Sequence, residues 1–239
     1  MTEDAGGGQE RTEGWNERLG WVFGLVADNA EERLAALRHH TVVKGLLHDA
    51  WARSNELWHV TRPLGPDEQY REPAFARARE AVSAAGGRVL PDALWKPYGT
   101  NVRTWPGLPY ALLFLEWEAR YPHEWTAHAK AWGAKESLLR QLSVDGHDEA
   151  TVRKLTDLVM VVVERPYRCK DREYVRVARA VDNPGLRRRL ATAAASDDAW
   201  ARTHAEYVLW VLDRPGMRIR RRTWTDWLIG SLHAKEAQA

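Results

Sequence analysis

The segment Leu108–Tyr121, LPYALLFLEWEARY, constrains the fold more than any other stretch of the chain. Its apolar residues from Tyr110 to Leu115 cover nearly every angle of a helix, Pro109 suits a first helical turn, and Pro122 stops it. A helix that is apolar nearly all round sits inside a protein rather than on its surface. Its second half brings Glu116, Glu118 and Arg120, with His123 and Glu124 just beyond. The expectation is a core helix whose far end reaches water.

The flanking sequence reads as helix as well. Trp15, Leu19, Val22, Phe23 and Val26 have helical spacing and predict an amphipathic helix over 15–27. Asp28 or Asn29 can cap the next, which runs from 30 to about 60, with a possible break at His39–His40–Thr41. Further helices are expected from Pro73 to the Gly86–Gly87 pair, over 123–142, and over 149–164. In the last of these the β-branched run VMVVV also suits a strand, but the preceding TVRKLTDL favours helix. Short, punctuated helices follow: Arg172–Val181 capped by Asp171, Pro184–Ala195, Ala199–Leu212, and a final one capped by Thr223 or Thr225. The segment DNPGLRRRLATAAASDDAWARTHAEYVLWVLD resembles HEAT-type helical repeats, with Asp198 at a helix start, Arg202 four residues on, then Ala205, Leu209 and Leu212. That resemblance implies stacked helix pairs in the C-terminal third. The fold class is therefore all-α: a compact bundle of about nine or ten helices, one domain over 15–239 behind a disordered tail at 1–14. The irregular segment 88–107 carries Trp95, Tyr98, Arg103 and Trp105 among prolines. A loop this long either binds something or packs down on its own aromatics.

Composition narrows the class. Hydrophobic residues at 44% and charged residues at 28% describe a globular chain. No window approaches a membrane-spanning apolar run, and the acidic, glycine-rich start lacks the layout of a signal peptide. Cys169 is the single cysteine, which excludes an internal disulfide or a multi-cysteine metal site and makes a reducing cytoplasm the natural compartment.

Motifs for catalysis are mostly missing. Gly6–Gly7–Gly8 has no Lys-Ser/Thr behind it, no GxSxG elbow is present, and Cys169 has no paired motif. His123 and His128 stand five apart, about 140° around a helix, so they do not form the shared face of an HExxH site. One polar stripe survives on the 30–60 helix. His48, Asn55 and His59 align, and Glu56 with His59 has the i, i+3 spacing of carboxylate-bridged metals in helical bundles. Glu116 is a candidate to complete such a divalent-metal site. Leu46–Leu47–His48–Asp49 also resembles the His-Asp doublet of the HD phosphohydrolases, which implies His48 and Asp49 as metal ligands and a metal-activated water attacking phosphate. The upstream His39 or His40 stands too close to serve as that family's first ligand, and no distal Asp has a matching context.

Of the 35 basic residues, 28 are arginine. Arg187, Arg188 and Arg189 form one group; Arg218, Arg220, Arg221 and Arg222, just before Trp224, form another. Arginines interleaved with tryptophan can clamp phosphates and stack bases. Asp197, Asp198, Glu206 and Asp213 lie near in sequence, however, and the net charge is only +2. The preferred reading is a non-catalytic cytoplasmic interaction or regulatory protein with a protein partner, no cofactor and no membrane attachment. The alternatives are a nucleic-acid-binding protein using the C-terminal arginines, and a metal-dependent hydrolase or oxidase using His48, Glu56 and His59.

Overall fold

The computed structural model describes residues 14–236, with side chains through residue 231. Among the described residues there is no strand, and α-helices α1 to α12 account for most of the chain. They fall into two compact units, one ending at Ala131 and the other beginning at Trp132. No helix of the described residues is long and apolar enough to cross a membrane. The expected tail lies, but for Gly14, outside the described residues.

In the first unit, α1 (14–19) passes into a 3-10 stretch, Gly20–Val26, and then into α2 (Ala30–Thr61). The single α-helix expected over 15–27 is thus corrected. Its second half is wound tighter and lies close against α2, where Gly24 leaves no room for a Cβ because Ala36 would stand 2.9 Å away. Helix α2 is capped by Asn29, whose side chain accepts from Glu31 N–H at 2.8 Å. It runs unbroken through the expected weak point, since His40 is buried and Thr41 bonds back to the Leu37 carbonyl at 3.0 Å. α3 (Pro66–Arg71) adds a turn that the sequence pattern does not show, and its Gln69 amide donates to the Trp58 carbonyl at 2.9 Å. α4 (Pro73–Gly86) packs along α2, burying Phe75 and Ala78.

Helix α5 (Leu108–Arg120) is the core expected of it: ten of its 13 residues are buried. Trp117 and Phe114 are fully enclosed, and burying an indole of about 200 Å² favours folding by about 5 kcal/mol before entropy is counted. Its far end does reach water. Arg120 donates to the Val26 carbonyl at 2.9 Å and pairs with Asp28 and Glu116, tying α5 to the end of the 3-10 stretch. The helix expected over 123–142 is instead two: α6 (Pro122–His128) and α7 (Trp132–Leu142). Lys130 turns the chain between them with φ of 45°, while the Ala129 and Lys130 N–H groups both close on the Trp125 carbonyl.

The second unit holds α7 to α12. α8 (Glu149–Val163) is helical despite its β-branched run, because Leu155, Leu158, Val159, Val162 and Val163 form one buried stripe and Asp148 caps it at 2.7 Å. α9 (Arg172–Ala180) packs on α7 and α8, while α10 (Pro184–Ala194) and α11 (Ala199–Leu212) form an antiparallel neighbour pair capped by Asn183 and Asp198. α12 (Arg221–Glu236) begins two residues before the expected Thr223 cap. Thr223 acts from inside the first turn: its hydroxyl accepts from Arg220 N–H at 3.0 Å and donates to the Arg218 carbonyl at 3.1 Å.

Candidate ligand cleft

The second unit contains a cleft of about 440 Å³ between α8, α9, α11 and the start of α12. Each wall has a local cause. The stripe of α8 presents Val159, Val162 and Val163. On α11, Trp200, His204 and Tyr207 recur at i, i+4 and i+7 and therefore share one helix face. α12 brings Trp224 and Thr225, and the residues that start it bring Arg220 and Arg221.

The aromatic groups meet at ring distance. His204 lies 5.7 Å from Trp200, 5.9 Å from Trp224 and 6.5 Å from Tyr167. Tyr207 meets Trp224 edge to face at 4.7 Å, and Trp227 closes the back at 5.2 Å from both. The His204 Nδ1 lies 3.3 Å from the Val163 carbonyl, which can only accept. Nδ1 therefore carries the proton, and Nε2 is left as an acceptor. Burial holds the imidazole below the usual histidine range and raises the Tyr207 hydroxyl to about 12. Both are neutral at pH 7.

One wall of the cleft rests on a buried ionic knot around Asp171. The Asp171 carboxylate accepts from Lys135 Nζ at 2.6 Å, from Arg165 at 2.9 and 3.2 Å, and from the Arg168 N–H at 2.6 Å. Asp171 was expected to cap α9 with its side chain, and that is corrected: no such cap bond exists. The fully buried Lys135 ammonium draws the carboxylate the other way, helped by Lys170, whose φ of 68° turns the chain into α9. Arg172 pairs with Glu173 at 3.1 Å and Glu136 at 3.7 Å. Among the described residues no acid lies within ion-pair distance of Arg220 or Arg221, and the first turn of α12 contains no acid.

The two arginine groups separate in character. Arg187 bridges Asp182 at 2.8 Å and Asp213 at 2.7 Å, so its ionisation shifts upward, and Arg189 pairs with Asp157 at 2.6 Å. Arg188 is exposed on the same helix. Of the second group, Arg220 and Arg221 reach the cleft with Trp224, Arg222 lies 3.6 Å from Asp226, and Arg218 is exposed. A second cavity, of about 530 Å³, holds Arg140, Arg176 and Arg179. Two of these hold the chain before α12, Arg179 donating to the Met217 carbonyl at 2.8 Å and Arg176 to that of Ile219 at 2.5 Å, while Arg140 pairs with Glu136 at 2.5 Å and Glu173 at 3.4 Å.

In the first unit, His48, Glu56 and His59 are exposed on α2, with Glu56 turned to Arg53 at 2.7 Å. Asp49 is exposed beside them, and Glu116 bonds Arg120 at 3.4 Å on α5. Among the described residues no three His, Cys, Asp or Glu side chains gather where a metal could be held. Trp95 and Tyr98 project into solvent and Arg103 bonds Asn101 at 3.3 Å. Trp105 is core, edge-on to Trp15 at 5.7 Å, and both rings cover Gly107, where a Cβ would lie 2.3 Å from the Trp105 ring.

Of the residues that line the cleft, the sequence pattern singles out Arg220, Arg221 and Trp224 but not Tyr167, Trp200, His204 and Tyr207. The i, i+4, i+7 aromatic stripe of α11 was the signal for three of these. No protein-family model, curated protein or solved structure matches the chain.

Proposed function

We propose that the protein is a non-catalytic interaction or regulatory protein that binds its partner or ligand through the cleft of the second unit. One observation carries this reading: unpaired arginines at the mouth of an aromatic cleft whose other titratable groups are neutral or fully bonded. His204 is oriented by a main-chain carbonyl and Asp171 is saturated by Lys135 and Arg165, so these two lining groups are not joined as an acid–base pair, whereas the surface left over is suited to holding something. A reducing cytoplasm fits an exposed lone thiol at Cys169. The weakly HEAT-like stacking of the C-terminal helices belongs to the same reading and is supported by α10 packing along α11.

The test compares the full chain with a variant carrying Arg220→Ala, Arg221→Ala and Trp224→Ala, both immobilised and exposed to cell extract. Proteins, nucleic acids and small molecules are then identified by mass spectrometry and sequencing. Something retained by the parent and lost from the folded variant is expected; identical retention overturns the reading. The nucleic-acid alternative draws on the same convergence of Arg220 and Arg221 with Trp224. It requires binding of single strands that weakens steeply with salt, with a slope that falls by about one unit for each phosphate-binding arginine removed.

A further inference from the structure

We infer that the cleft's ligand is a small planar anion: an aromatic ring bearing an N–H or O–H donor, joined to a phosphate or carboxylate. This rests on the cleft being the binding site and adds what occupies it. Size comes first. A volume of about 440 Å³ suits a one- or two-ring molecule with an anionic group, not a folded element of another protein. The shape of the walls follows: Trp200 and Trp224 flank His204, and Tyr207 stands edge-on to Trp224 over an apolar valine floor. Such walls favour a flat ring, which can stack or meet them edge to face.

Charge then selects an anion. Arg220 and Arg221 sit at the N-terminus of a 16-residue helix, the positive end of its dipole, with no acid in its first turn. Among the described residues neither has an acidic partner, so cation stands against helix end uncompensated. A phosphate or carboxylate placed there satisfies two guanidinium groups and the dipole together. The one negative group lining the cleft, Asp171, is already neutralised by Lys135 and Arg165 and does not oppose it. The remaining requirement comes from His204. With Nδ1–H directed to the Val163 carbonyl, Nε2 offers a lone pair in a residue only 9% exposed, and a ring donor satisfies it.

Calorimetric titration of the full chain with four probes tests this: adenosine monophosphate, indole-3-acetate, phenyl phosphate and inorganic phosphate. The first two carry a ring donor and separate phosphate from carboxylate. At least one of them should bind about tenfold or more tighter than phenyl phosphate, which in turn should exceed inorganic phosphate. The paired change Arg220→Glu and Arg221→Glu should abolish binding while raising Tm, because acids suit that helix end. Trp200→Ala, at a half-exposed position, should weaken binding without unfolding the chain. His204→Phe should bring the donor-bearing probes down to the phenyl phosphate level. The inference is overturned if no ring probe exceeds inorganic phosphate, or if the arginine pair can be changed without loss. Cleft-dependent retention of a protein or nucleic acid, with no affinity for any of the four probes, also overturns it but leaves the binding reading standing. Loss of both removes both.

Discussion

Each unit builds an aromatic box around a buried histidine bonded to a main-chain carbonyl, and the two boxes differ in one respect. In the first unit, His40 bonds the Leu90 carbonyl at 3.1 Å and stands 5.6 Å from Trp21 and 5.8 Å from Trp117. It is 1% exposed, and the box is closed by α5. In the second, His204 bonds Val163 among Trp200, Trp224 and Tyr167, and the box opens on a cleft with arginines at its mouth. The same residue types make a core in one place and a candidate site in the other. Enclosure decides between them, because a closed box has already spent its aromatic surface on its own neighbours, while an open one retains surface for a ligand.

Removing an aromatic from each box should break or sharpen that contrast most strongly. Trp117→Ala should destabilise by about 3–5 kcal/mol in chemical denaturation, since it empties a fully enclosed site. Trp200→Ala, half exposed, should cost no more than about 0.5 kcal/mol. Equal losses would mean that the second box is a core like the first.

A smaller difference is expected in acid. Burial, followed by Lys44, His128 and His39 nearby, lowers His40 below 6.5, outweighing the Leu90 bond. The unfolded chain then binds the proton more readily than the folded one, so the His40 contribution to stability is complete above pH 6.5 and is lost as pH falls through the folded value. The His40 Nδ1 has no hydrogen-bond partner, nor do the Trp21 and Trp117 indole N–H groups, so a cation formed there gains nothing in return. His40→Gln keeps a donor for Leu90 and should flatten the fall in urea midpoint between pH 7.5 and 5.5. An unchanged slope would assign the acid sensitivity elsewhere. His204 has the same sign, so the double variant should be flatter still.

The smallest effect is a gain. Arg221→Glu puts an acid into the first turn of α12 and should stabilise the chain by about 0.3–1 kcal/mol at low salt, less at high salt. A loss instead would show that Arg221 is held by a structural partner and is not waiting for an anion.

Much of this fold is legible in the sequence because its causes are local. The all-round apolar pattern of Leu108–Arg120 predicts its burial, and Asn29, Asn183 and Asp198 cap the helices that their positions suggest. A cap or an i, i+4 stripe is decided within a few residues, so the sequence alone determined the helical class and the central helix. Where it misled, a longer-range contact intervened. Lys135, from another helix, drew Asp171 away from capping α9, and close packing on Ala36 tightened the 3-10 turn at Gly24. The cleft belongs wholly to that second kind. Val163 with His204, and Tyr207 with Trp224, are brought together across many residues of chain, and neither pairing leaves a mark on the local pattern. Aromatic residues on a helix face predict burial equally well whether the face is covered or left open, and only the packing of α8, α9, α11 and α12 decided that this one stays open.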